Sequence, residues 1–138
     1  MKMFSWILGN RSSRLNPIEA QIIEALASAL NGKAGDLLRS QVALINKVQR
    51  LDQDREVNFY HIEKGKPMFP DIVLFPNQSE EFELAKLKVT DVATGHQTNA
   101  IVSVVRGHLF CIEFSHTPRD LRGAKDLKIE IEYLANPL

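Results

Sequence analysis

A chain of 138 residues that is 44% hydrophobic and 25% charged suits one globular domain, so neither disorder as the main state nor a second domain is expected. Seventeen basic side chains cancel seventeen acidic ones, so the positive field that draws proteins to nucleic acid is missing and no such partner is expected. Cys111 is the single cysteine, which excludes an intrachain disulfide and a cysteine-based zinc cluster and points to a reducing, cytoplasmic setting.

Residues 1–15 open with an apolar cluster of Met3, Phe4, Trp6, Ile7 and Leu8, interrupted by Ser5. It is shorter than a secretory core, and no run approaches the ~20 apolar residues of a membrane span. The cluster is expected to close over the core. An interfacial or docking contact aided by Lys2, Arg11 and Arg14 is the alternative.

Residues 16–51 read as two helices. Asn16 is the cap of the first, Pro17 its first residue, and Glu19 completes a capping box. Ile18, Ile22, Ala25, Leu26, Ala29 and Leu30 then recur at helical spacing opposite Gln21, Glu24 and Ser28, and Asn31-Gly32 is the stop. A linker over 32–35 leads to a second helix predicted from Asp36 to about Leu51. Its apolar stripe is Leu37, Leu38, Val42, Leu44, Ile45 and Val48, with Arg39, Asn46, Lys47 and Arg50 opposite.

From 56 to 134 the period falls to two. REVNFYHIE sets Val57, Phe59 and His61 on one face against Asn58, Tyr60 and Ile62. Pro67, Pro70 and Pro76 bracket Met68, Phe69, Ile72, Val73, Leu74 and Phe75, which predicts an edge or a packed loop rather than a central strand. Further strands are predicted over 82–92, 100–105, 108–114 and 127–134, with a glycine turn at 93–97 and a tight turn at Arg106-Gly107. Phe110, Ile112 and Phe114 are expected on one face, and Leu109, Cys111 and Glu113 on the other. The fold predicted is α+β, one domain over 1–138: an N-terminal helical hairpin on one face of an antiparallel β-meander of about five strands.

The stretch from the second helix through VSVVRGHLFCIEF resembles small uncharacterised bacterial α+β proteins. They share a helix, a strand like REVNFYHIE and a hairpin ending like GHLFCIEF. The resemblance spans roughly residues 37–115. It implies a partner-binding module, such as an immunity protein that neutralises a toxin, and brings no catalytic residue with it.

Chemistry-bearing motifs are sparse. The four histidines show neither His-x-x-x-His nor His-x-His spacing, so no metal is expected. No G-x-S-x-G elbow and no glycine-rich phosphate loop occur, so neither a nucleophile nor a cofactor is expected. Mid-strand, Cys111 reads as a small buried hydrophobe. The leading expectation is a non-catalytic protein-binding module whose surface is Met68, Phe69, Asp71 and Phe75 with an acidic rim at Glu80 and Glu81. The same segment can instead fold back to cap the core. The alternative function is a small-molecule pocket or enzyme built on Tyr60, His61 and Glu113, the last as a semi-buried carboxylate. Self-association as a homodimer, or membership of a larger assembly, completes the expectations.

Overall fold

The computed structural model describes residues 14–138. The apolar cluster at 3–8 and its expected contacts lie outside the described residues.

The first helix, α1 (Pro17–Leu30), begins as its sequence dictates. The Asn16 side chain accepts the Glu19 N–H at 2.9 Å while the Glu19 carboxylate accepts the Asn16 N–H at 2.9 Å. Its buried face is Ile18, Ile22, Ile23, Leu26 and Ala27, whereas Ala29 is exposed. The predicted linker does not exist. Asn31 (φ 60) and Gly32 (φ 48) reverse the chain, and α2 (Gly32–Leu44) starts at once. Gly35 lies inside α2 against α1, where a Cβ would run into the Ala27 carbonyl oxygen. This glycine serves close helix packing, not a flexible connection.

The second helix also ends seven residues before its predicted stop, and the reason is local. Ile45 takes extended backbone, and Asn46 then mimics a strand residue. Its N–H donates to the Tyr60 carbonyl at 3.0 Å, while its side-chain amide both donates to the Ile62 carbonyl (3.0 Å) and accepts the Ile62 N–H (2.7 Å). Residues assigned to the end of the helix therefore form β1 (Lys47–Leu51), which pairs with β2 (Glu56–Tyr60). Val48 points into the core while Lys47, Gln49 and Leu51 stay exposed, a period of two inside an apparently helical stripe.

The chain continues through a small hairpin, β3 (Ile62–Glu63) and β4 (Lys66–Pro67), and a 3-10 turn at Asp71–Val73. It then forms β5 (Phe82–Asp91), β6 (Gln97–Val105), β7 (His108–Phe114) and β8 (Leu127–Leu134). The main sheet has six antiparallel strands rather than five, in the order β1-β2-β7-β6-β5-β8. Only β5-β6-β7 is a meander: β2 joins at β7 and β8 returns to β5. Arg106 (φ 47) and Gly107 (φ 89) make the two-residue turn between β6 and β7, both in the left-handed region such turns need.

The fold is thus α+β, with both helices on one sheet face. Ile22, Leu26 and Leu38 from the helices meet Val57, Phe59, Leu87, Val102, Val104 and Ile112 from the sheet in one core. A bulge in β7 decides which aromatic joins them. Ser103 pairs with Cys111 but Val104 pairs with Leu109, so Phe110 is the extra residue. Leu109 therefore turns into the core with Ile112 and Phe114, and Phe110 turns away, against its predicted face. Phe75 is fully buried, its N–H held by the Gly107 carbonyl at 2.8 Å, and its side chain adds roughly 1.5–3 kcal/mol of burial. Among the described residues no helix is long and apolar enough to cross a membrane.

Candidate functional site

The densest group of chemically distinctive side chains lies where the β3-β4 hairpin folds beside β7. Lys64 (φ 51) and Gly65 (φ 77) turn the hairpin, and the Met68 N–H donates to the His61 carbonyl at 2.8 Å, which returns the chain beside its own start. Phe69, 5% exposed, is thereby set between two imidazoles. Its ring centroid lies 5.7 Å from His61 and 4.7 Å from His108, stacked on the latter. His108 meets the edge of Phe110 at 6.5 Å, and Phe110 meets Tyr60 edge-on at 5.8 Å. These five rings, with Pro67, Met68, Val105 and Arg106, line a cleft of about 270 Å³.

The two imidazoles differ. Nδ1 of His61 lies 2.7 Å from the Leu44 carbonyl and so donates to it, while its other nitrogen faces the Glu63 carboxylate at 3.2 Å. This ring ties the end of α2 to β3. Burial pushes the His108 imidazole below its ordinary range and the Arg106 cation adds to this, against a contact with the Leu109 carbonyl at 3.0 Å. A neutral His108 that donates from Nδ1 leaves Nε2 as an acceptor.

Of the residues expected to build a pocket, the structure brings Tyr60 and His61 together and leaves Glu113 elsewhere. Glu113 is exposed near the far end of β7, in register with Glu56 and Ile101, beside a shallow depression shared with Asp52, Arg55 and Ser115. It is not the semi-buried partner of His61 that strand alternation allowed. His108, Phe110 and Arg106 take its place in the cleft. His108 and Arg106 border the glycine turn, which a reader of the sequence can see. Phe110 reaches the cleft only through the bulge, which no single residue announces.

The expected interaction residues also divide. Met68 is 58% exposed, and Asp71, Glu80 and Glu81 are exposed, with Glu80 paired to Arg106 at 3.1 Å. Phe69 and Phe75 are buried, Phe75 in the core and Phe69 in the wall of the cleft, so neither side chain projects from the surface. Ile72, 85% exposed, takes the outward position between them.

Cys111 lies on the sheet face away from the helices, in register between Asn58 and Ser103. All three are buried, and Oδ1 of Asn58 has no hydrogen-bond partner. Burial first, then the Glu113 and Glu56 carboxylates, push the Cys111 thiol up to about 12. The thiol stays protonated and unreactive through neutral and mildly alkaline pH. Native protein at pH 8 is expected to react with an aromatic disulfide reagent at least tenfold more slowly than urea-unfolded protein, read by absorbance. Equal rates in the two states would show an accessible thiolate.

A shallower hollow of about 520 Å³ lies between the α1-α2 turn and the C-terminal residues. Lys33 is the one ionisable side chain among its lining residues, and it lacks the convergent polar groups of a ligand site. Comparison with protein-family models, curated proteins and solved structures finds no match to this chain.

Proposed function

We propose that this protein is a non-catalytic protein-binding module that docks through the end of the molecule carrying Met68 and Ile72. The observation that carries the reading is the exposure of these two large apolar side chains, 58% and 85%, on a segment anchored by buried Phe69 and Phe75. Anchoring on both sides means that little conformational freedom remains to be lost on binding. Methionine, aromatic rings and arginine are what interface centres favour, and the aromatic cleft with Arg106 adjoins Met68. Exposed Asp71, Glu80 and Glu81 give the rim an acidic character suited to a basic partner surface. An immunity or inhibitor role is one form this reading takes.

The test is affinity capture from native lysate with the full chain, its Met68→Asp/Ile72→Asp variant and its Glu80→Lys/Glu81→Lys variant. One stoichiometric protein is expected with the unaltered chain, lost with the first variant and weakened with the second, while all three unfold at similar temperatures. Capture indifferent to both variants removes this surface from consideration.

The cleft favours a second reading, a small-molecule pocket, because the free acceptor of His108 and the Tyr60 and Phe110 rings converge on it. A planar aromatic ligand that raises the unfolding temperature of the unaltered chain but not of His108→Ala supports it.

A further inference from the structure

The outer edge of β8 carries an inference that the cleft does not. This strand ends the sheet: β5 pairs with one side of it, and among the described residues no strand pairs with the other. It is eight residues long, against five for the opposite edge strand β1. A long, unpaired edge is a template for another strand.

The backbone phase shows which residues are free. The Val92 N–H donates to the Asp126 carbonyl at 3.1 Å, and the register then places Thr90 opposite Lys128 and Lys88 opposite Glu130 as the hydrogen-bonded pairs. The Asp91 N–H donates to the His96 carbonyl at 2.8 Å, so the alternate residues of β5 turn to β6, in keeping with that phase. Leu127, Ile129 and Ile131 therefore direct their N–H and C=O groups outward. Their side chains lie on the helix-covered face, each only partly buried at the core margin. Lys128 and Glu130 project from the open face, 62% and 43% exposed, and pair with each other at 3.0 Å within one copy, a pairing that would be shared with a second copy.

We infer that two copies of this chain pair antiparallel through β8, joining their sheets into one across a two-fold axis at Ile129. In that register Ile129 faces its own copy and Leu127 faces Ile131, all with outward backbone groups. Lys128 faces Glu130 of the second copy in both directions. Opposite charges thus sit in directly opposed positions, and the half-buried apolar row of one copy extends that of the other. Centring one residue later sets Glu130 against Glu130, which disfavours that register. The same register sets Asp126 opposite Glu132, and the bulge at Glu132 between Ile131 and Tyr133 interrupts the strand there, so the paired stretch ends at Leu127 and Ile131. The contact is isologous, so it closes at two copies rather than growing into a filament.

Sedimentation velocity of the full chain from low to high micromolar concentration tests this. A reversible monomer–dimer equilibrium is expected. Lys128→Glu should weaken it by about tenfold or more, since two opposed pairs become like-charged. The double variant Lys128→Glu/Glu130→Lys exchanges the charges and should restore it. Ile129→Pro removes an outward N–H together with part of a side chain at the core margin, so it should abolish the dimer while the circular dichroism is kept and the unfolding temperature falls only modestly. A monomer at every concentration, a dimer indifferent to Lys128→Glu and Ile129→Pro, or a failure of the charge exchange to restore pairing overturns the inference.

Discussion

Replacing Arg50 by alanine is expected to remove about 3–5 kcal/mol of folding stability, because it leaves an uncompensated carboxylate inside the protein. Glu19 is 1% exposed, and the Arg50 guanidinium grips it in bidentate fashion, Nε to Oε2 at 2.9 Å and Nη2 to Oε1 at 2.7 Å. Nη2 also donates to the Arg14 carbonyl at 2.9 Å, so one side chain joins β1, the first turn of α1 and the chain before it. The Glu19 carboxylate, by hydrogen bonding, holds the guanidinium above its already high ordinary value. Urea unfolding measures the loss as a lower midpoint. The double variant Arg50→Ala/Glu19→Met should recover more than half of it, since no buried charge then remains. A single variant that unfolds within about 1 kcal/mol of the unaltered chain would show the pair to be no stronger than a surface salt bridge.

A loss of about 3 kcal/mol or more is expected for Gln41→Leu, although the change is nearly isosteric and replaces a polar side chain with an apolar one in the core. Gln41 is fully buried on α2 and satisfies three backbone groups. Its amide nitrogen donates to the Val73 carbonyl at 2.8 Å and the Gly107 carbonyl at 2.9 Å, and its oxygen accepts the Leu109 N–H at 2.8 Å. Leucine takes its partner from the buried Leu109 N–H and from the part-buried Val73 carbonyl, while the Gly107 carbonyl keeps the Phe75 N–H. Gln41→Glu is no remedy, because a carboxylate keeps the Leu109 contact while facing two carbonyl oxygens. Amide hydrogen exchange gives the local signature: Leu109 should lose protection by more than the fall in global stability accounts for. Full retention of its protection in Gln41→Leu would show that another group replaces the glutamine.

Several elements were legible in the sequence because their determinants are local. The capping box at Asn16, the alternation of β5 and the turn at Arg106-Gly107 each depend on neighbours a few residues apart. The misread stretch at 45–51 has an apolar spacing that fits a helix and a strand alike. Partners from afar break the tie: Tyr60 and Ile62 for Asn46, and Glu19 for Arg50. Gly35 looked like a linker because the carbonyl it must approach lies on another helix. The site was half legible on the same grounds. Tyr60, His61 and Met68 reach the cleft along one continuous stretch, whereas Glu113 lies near the far end of β7, and Phe110 arrived because a bulge shifted the parity of that strand. Exposure within 68–75 was not readable, since a proline-rich segment has no fixed period to sort inward residues from outward ones.

The strand order also constrains how the chain can assemble as it is made. β2 is flanked by β1 and β7, so Asn58 must wait for Cys111 before the left half of the sheet acquires its centre. During synthesis from the N-terminus, both helices and the first hairpin emerge with their apolar faces formed and nothing to lay them on. Closing that long-range pairing is an entropic search that local contacts cannot shorten, which places folding toward the slow end for a domain of this size. The nascent half-molecule, not the finished fold, is therefore the state that exposes these apolar faces.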